Sequence, residues 1–190
     1  MLNKGGGKKM TWETIFKKVI VALDEAESNT LQQNMADYKN KIYECADSCQ
    51  REISAFAKEI TKYKKIEVEN KRADLPDDCY ETICLFDEDD NRVSFTDLGD
   101  GRIKTEDGSY VLKYYAYSER FDENTDLQEK PQISEEAQEA MVYGICAGLC
   151  INDEPELYST YMQRYNGLID SMITRKNNMV RATVVGGMRM

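Results

Sequence analysis

The cysteines are the residues of this sequence with the widest range of possible chemistry. They number six and form three pairs, Cys45/Cys49, Cys79/Cys84 and Cys146/Cys150. The outer pairs are spaced i, i+4 in predicted helices, where four thiolates could bind zinc, but structural zinc sites usually place cysteines about two to four residues apart in turns. All six positions fall in apolar patterns, and cysteine is among the most buried residue types. We therefore predict buried, reduced thiols in a reducing compartment, with no metal and no cofactor.

Acid–base catalysis has few candidate residues here. The sequence contains no histidine, which excludes His-based triads, the usual zinc-hydrolase ligand sets and most proton shuttles that work near neutral pH. No pattern pairs a nucleophile with a base. We predict a protein without catalytic residues.

Three further motifs each have a chemical and a structural interpretation. Asp87, Glu88, Asp89 and Asp90 resemble part of a calcium loop, but the full ligand pattern ending in Glu is absent, so a solvated hairpin is favoured. Glycines at positions 5–7 precede two lysines without the strand that a phosphate-binding loop requires. Tyrosines of the segment 110–117 could stack on bases, but alternating strand tyrosines more often pack across strands.

The composition indicates one folded domain of an acidic protein. The chain has 190 residues, 41% of them hydrophobic and 32% charged, with a net charge of -10. This length suits a single domain, and the hydrophobic share argues against wholesale disorder. No apolar run approaches the roughly 20 residues of a membrane span, and the charge argues against a generally basic nucleic-acid binder. We expect a soluble, intracellular protein.

Both ends of the chain are basic, whereas the middle is acidic. Residues 1–10 and residues 171–190 contain lysines or arginines and no acid. Nearby glycines and the lack of a helical pattern predict that both ends are extended arms. Such arms are either frayed termini or basic segments that dock on an acidic neighbour.

Periodic hydrophobic residues predict four helices and a β-rich insertion. The second helix would be about 50 Å long with one narrow apolar stripe, which is typical of a bundle or of a helix covered by another chain. Gly144 and Gly148, one turn apart in the third helix, predict the close approach of another helix. The helices cover about residues 11–28, 30–63, 134–151 and 154–174, and the insertion covers about residues 65–118.

These elements predict an α+β fold, mainly α: a helical bundle with a small inserted antiparallel β-sheet and extended terminal arms. A basic amino-terminal arm covers residues 1–10, a central domain covers residues 11–172, and a basic carboxyl-terminal arm covers residues 173–190. There are no internal repeats.

Short motifs follow one another in a definite order along the central domain. They are Gln50-Arg51-Glu52-Ile53, Leu75-Pro76-Asp77-Asp78, Tyr114-Tyr115-Ala116-Tyr117, Ser118-Glu119-Arg120-Phe121-Asp122-Glu123-Asn124-Thr125, Glu139-Ala140, Tyr143-Gly144-Ile145-Cys146-Ala147-Gly148-Leu149, and Asn152-Asp153-Glu154-Pro155-Glu156-Leu157-Tyr158 with Tyr161, Arg164 and Tyr165. This order resembles the head–tail connector, or portal-adaptor, proteins of tailed bacteriophages over about residues 11–172. The two basic arms and the cysteines inside the helices depart from that pattern.

The resemblance implies a structural virion protein that forms a homo-oligomeric ring of about twelve copies at the neck of the particle. Such a ring binds the portal protein, docks the next neck or tail component, and leaves a channel through which DNA passes without specific binding. It is made in the host cytoplasm and has neither catalytic residues nor a membrane association. An acidic lumen would repel DNA and let it slide.

Two sets of binding residues follow from this interpretation. The carboxyl-terminal arm is expected to bind the portal, and the acidic run is expected to face the tail, while Gly144 and Gly148 serve helix packing. The portal-binding residues are Arg175, Lys176, Met179, Val180, Arg181, Val184, Val185 and Arg189, and the tail-facing residues are Asp87, Glu88, Asp89 and Asp90.

Two other functions stay open at this point. The chain can be a tail-completion or stopper ring further down the neck, which binding to portal or to tail tube would distinguish. It can also be a cytosolic binding module regulated by thiols or a metal, which metal content and thiol titration would test. A hydrolytic enzyme is the weakest alternative, because the sequence offers no convergent acid–base set.

Overall fold

A computed structural model describes the backbone of residues 10–23, 31–152 and 154–186, and the side chains of residues 10–23, 41–152 and 154–175. The described backbone contains four helices and seven strands. In chain order they are α1 (Trp12–Leu23), α2 (Leu31–Phe56), β1 (Thr61–Val68), β2 (Arg72–Asp74), β3 (Cys79–Phe86), β4 (Arg92–Val93), β5 (Thr96–Asp97), β6 (Arg102–Lys104), β7 (Gly108–Ala116), α3 (Glu135–Cys150) and α4 (Pro155–Gly186).

The strands form two small antiparallel sheets between α2 and α3. The larger sheet has the order β1-β7-β3-β4, and the smaller one has the order β2-β6-β5. β7 is the long central strand, and it pairs with β1 from Thr61↔Tyr115 to Val68↔Gly108. The predicted α+β fold, mainly α with an inserted antiparallel sheet, is confirmed, although the insertion begins at Thr61 and divides into two sheets.

The second helix is shorter than the sequence pattern indicated. It ends at Phe56, because Lys58 takes a positive φ of 49° and the amides of Lys58 and Glu59 bond back to the carbonyls of Ala55 and Ser54. This is the geometry of a Schellman cap. The prediction of one helix over residues 30–63 was therefore wrong. Residues 61–63 belong instead to β1, which pairs with β7 along its whole length.

The third helix was predicted correctly. Ser134 caps α3, with its side chain accepting a hydrogen bond from the amide of Ala137. The fourth helix begins at Pro155, as expected, but it continues to Gly186. The prediction of an extended carboxyl-terminal arm was thus wrong for residues 173–186, because no proline interrupts the chain there and glycine first occurs at the helix end.

Some predictions fall on parts of the chain that the structure does not describe. Residues 1–9 of the amino-terminal arm, residues 24–28 of the first predicted helix, and Arg189 lie outside the described residues. Met10 is described, and its amide donates to Oε1 of the buried Gln138 at 2.8 Å.

The described residues form two hydrophobic cores. The larger core lies among the four helices and includes Trp12, Ile53, Phe121 and Ile145. The smaller core lies within the β-insertion around Leu112. No helix within the described ranges is long and apolar enough to cross a membrane.

Candidate functional site

The two glycines of α3 lie directly against two cysteines of α2. A Cβ atom added to Gly144 would lie 2.5 Å from Sγ of Cys49, and one added to Gly148 would lie 2.8 Å from Sγ of Cys45. Both pairs repeat every four residues, so they form matching rows on the facing helices. The predicted close helix approach at these glycines is confirmed, and the cysteines of α2 are the residues that use the space.

The cysteines lie at packed positions, where their thiols are poorly reactive. None of the six is in a disulfide. Burial raises the pKa of Cys146 from 9.0 to about 12 and also raises the pKa of Cys49, which keeps both thiols protonated near neutral pH. Among the described residues there is no group of three or more cysteine or carboxylate side chains placed to hold a metal ion.

The acidic run forms the hairpin between β3 and β4. The carboxylate of Asp87 accepts hydrogen bonds from the amides of Asp89 and Asn91, at 3.0 and 2.8 Å. The bond from Asn91 is the largest influence that lowers the pKa of Asp87. Glu88, Asp89 and Asp90 are exposed around this turn. The geometry is that of a solvated hairpin whose first carboxylate organises the loop.

The tyrosines of β7 are divided between the two faces of the sheet. Tyr114 is buried and donates a hydrogen bond to Oδ1 of Asp78 at 3.1 Å, whereas Tyr115 lies on the opposite face. They do not form one stacking platform for bases. The packing interpretation of these residues holds for Tyr114.

The outer face of the larger sheet carries an aromatic row, which we define as Tyr63, Tyr115 and Tyr117. Each ring lies under a cationic side chain, with Lys113 5.4 Å from the centroid of Tyr63, Lys58 5.0 Å from Tyr115, and Arg51 4.7 Å from Tyr117. Tyr63 is the most prominent member, with 61% of its surface exposed. Such cation–π pairs hold basic charge against an aromatic surface.

An internal latch joins α2 to the long loop over residues 117–134. The carboxylate of Asp47 accepts from the amide of Phe121 at 2.8 Å, and Oγ of Ser54 accepts from the amide of Ser118 at 3.0 Å. Between them, Gln50 donates to the carbonyl of Glu119 and accepts from the amide of Gln132. This polar stripe supplies hydrogen-bond partners to four backbone groups of the loop.

The sequence pattern did not predict this latch. The spacing of Asp47, Gln50 and Ser54 was the available sequence signal, because it places three polar side chains on one helix face beside the apolar stripe. A polar face of a helix normally points to solvent, so the pattern gave no reason to expect a loop there. Gln50 and the residues 118–121 also belong to the motifs that carry the resemblance, and the latch brings those motifs together.

Beside the latch lies a cleft of about 620 Å³, which we call the acidic cleft. Its wall includes the stacked rings of Tyr43 and Phe121, 5.4 Å apart, and four carboxylates oppose one guanidinium around it. The lining residues are Tyr43, Glu44, Asp47, Ser48, Arg120, Phe121, Asp122, Glu123 and Asn124.

The carboxyl-terminal basic residues occupy the end of α4. Arg175 forms an ion pair with Glu136 of α3, which ties this part of α4 to the bundle. The backbone of residues 176–186 continues as helix. The backbone of the predicted portal-binding residues from Lys176 to Val185 therefore belongs to one helical segment of α4.

No family model matches the chain, and no curated protein is significantly similar to it.

Proposed function

We propose that this protein is a head–tail connector of a tailed bacteriophage, in which copies form a ring that joins the portal to the tail and leaves a channel for DNA. The observation that carries the proposal is the ordered series of motifs over residues 11–172. The latch supports it, because Gln50 of one motif bonds to the loop that contains the next ones. A surface helix and loop fastened together in this way offer a rigid body for assembly rather than a catalytic cleft.

The partners follow from the placement of charge. The end of α4, with Arg175, Lys176 and Arg181, is a basic helical segment suited to a groove on an acidic portal surface. The acidic hairpin at residues 87–90 lies at the far end of β3 from the latch and is proposed to meet the next neck or tail component. An acidic body, with a net charge of -10, favours a lumen that repels DNA.

The proposal is tested by producing the chain together with the portal protein and, separately, with the tail-tube protein from the same viral genome. Co-purification with the portal, and a ring of added density beneath it in electron micrographs, is the expected result. Binding to the tail tube but not to the portal would assign the chain to a stopper ring lower in the neck. Binding to neither would remove the virion assignment.

The alternative of a thiol- or metal-regulated module has less support. The raised pKa values of Cys49 and Cys146 disfavour thiolates, and the described residues present no ligand cluster for a metal. Metal analysis of the purified protein separates the two functions, because a stoichiometric metal would favour the module.

A further inference from the structure

Two surface features of this molecule carry opposite charge. One is the exposed ring of Tyr63, which has Lys113 stacked over it and Lys65 two positions further along the same face of β1. We call Tyr63 with Lys113 the aromatic knob. The other is the acidic cleft, where the half-buried ring of Tyr43, stacked on the buried Phe121, provides an aromatic wall.

The carboxylates of the acidic cleft divide into two kinds. Those of Asp47 and Asp122 are engaged within the fold, the first with the amide of Phe121 and the second with the amide of Asn124. Glu44 and Glu123 are exposed at the cleft. The cleft therefore combines an aromatic wall, which suits a ring, with exposed carboxylates, which suit an ammonium group.

We propose that the aromatic knob of one copy enters the acidic cleft of the next copy, so that Tyr63 packs beside Tyr43 while Lys113 pairs with Glu44 or Glu123. This inference rests on the proposed ring. A tyrosine seated in a pocket, with charged groups around it, is the common composition of an interface hot spot. The cleft volume of about 620 Å³ accommodates a tyrosine ring together with a lysine side chain.

The position of the two features requires a head-to-tail contact. Glu44 and Phe56 are separated by about 18 Å along α2, and the knob lies on β1 and β7, beyond the end of this helix. The knob of a rigid subunit cannot reach its own cleft across that distance. A contact between two different surfaces of identical copies is heterologous, and such contacts close into a ring when the rotation between neighbours permits it.

Site-specific photo-crosslinking tests the contact in the full chain. The photoreactive amino acid p-benzoylphenylalanine replaces Tyr63, and the protein is mixed at high concentration with an isotopically heavy, unsubstituted copy. Crosslinked peptides that join position 63 of one copy to residues 43–48 or 120–124 of the other are expected. Crosslinks from position 63 only to other surfaces, or no crosslink between copies, overturn the proposal.

Self-association measured by sedimentation velocity supplies an independent readout. Tyr63→Ser is expected to raise the dissociation constant about 30-fold. Leu98→Ser, which also removes an exposed apolar side chain but lies away from the knob, is the matched control and should change nothing. Lys113→Glu should weaken association about fivefold, and combining it with Glu44→Lys or with Glu123→Lys, whichever carboxylate Lys113 contacts, should recover it. Equal effects of Tyr63→Ser and Leu98→Ser, or no recovery in both double variants, would contradict the contact.

The connector function and the contact between copies can be disproved independently of each other. Portal binding without the crosslink would leave the connector function standing and remove this contact. The crosslink without portal binding would keep the contact between copies and remove the connector function.

Discussion

Cys49 and Gly144 occupy facing positions on α2 and α3, where a Cβ atom on Gly144 would lie 2.5 Å from the Cys49 sulfur. The thiol fills the space that the missing side chain leaves, and it donates a weak hydrogen bond to the carbonyl of Met141 at 3.8 Å. A glycine within a helix costs about 1 kcal/mol relative to alanine. Close packing of the two helices offsets that cost.

Enlarging either glycine of α3 should destabilise the protein. Gly144→Leu and Gly148→Leu are each expected to lower the free energy of unfolding by about 1–3 kcal/mol, because the new side chain meets Cys49 or Cys45. Urea denaturation measures the change. Gly167→Leu is the matched control, since it lies in α4 with nothing within 4 Å of its Cβ position, and it should raise stability by about 0.5–1 kcal/mol. An unchanged urea midpoint for Gly144→Leu would show that α2 and α3 can move apart without loss of stability.

Removing the centre of the latch should free the long loop. Gln50→Leu removes the side-chain partner of the Glu119 carbonyl and the Gln132 amide, which is expected to cost about 0.5–1.5 kcal/mol because both residues are exposed. Hydrogen exchange of the Gln132 amide should accelerate in the same variant. Gln163→Leu, at an exposed position of α4, serves as the control and should change stability by no more than about 0.5 kcal/mol. Equal exchange in both variants would mean that the latch does not hold the loop.

Alkaline pH should destabilise the protein in part through Cys146. Burial raises the pKa of this thiol from 9.0 to about 12 in the folded state, so the unfolded chain releases the proton first. The stability contributed by the neutral thiol is present below pH 9.0 and is lost as the pH rises toward 12. Unfolding free energies measured across this range should fall less steeply for Cys146→Ala than for the natural chain. Parallel curves would contradict the burial of a neutral thiol.

Shortening α4 should separate folding from portal binding. A chain that ends at Arg175 retains the buried Met172 and the ion pair of Arg175 with Glu136, so it should fold. It lacks the basic helical segment beyond, and its affinity for the portal is expected to fall about tenfold or more. The full-length double variant Lys176→Gln with Arg181→Gln is the control, because it removes two positive charges without shortening α4. Undiminished portal binding by both proteins would place the portal contact elsewhere on the chain.

The local sequence pattern was sufficient to predict the elements that are specified by neighbouring residues. The sequence pattern predicted the starts of α1, α3 and α4 to within one residue, because capping and periodicity act within one or two turns. The inserted sheet was likewise predicted from alternation and turn residues. The pairing of Gly144 and Gly148 indicated close packing, although nothing in the sequence indicated which helix would face them.

The tertiary structure alone decided how far the helices run and which polar groups face inward. Ile60 and Tyr63 continue the helical spacing of α2, yet the cap at Lys58 ends the helix and Tyr63 pairs with Lys113 in the ladder between β1 and β7. Asp47, Gln50 and Ser54 look like a solvent-facing stripe until a loop distant in sequence supplies backbone partners. Sequence alone determined most of the helical and strand segments, because local preferences specify them. The latch, the aromatic knob and the acidic cleft arise from contacts between residues far apart in the chain, and local preferences do not encode such contacts.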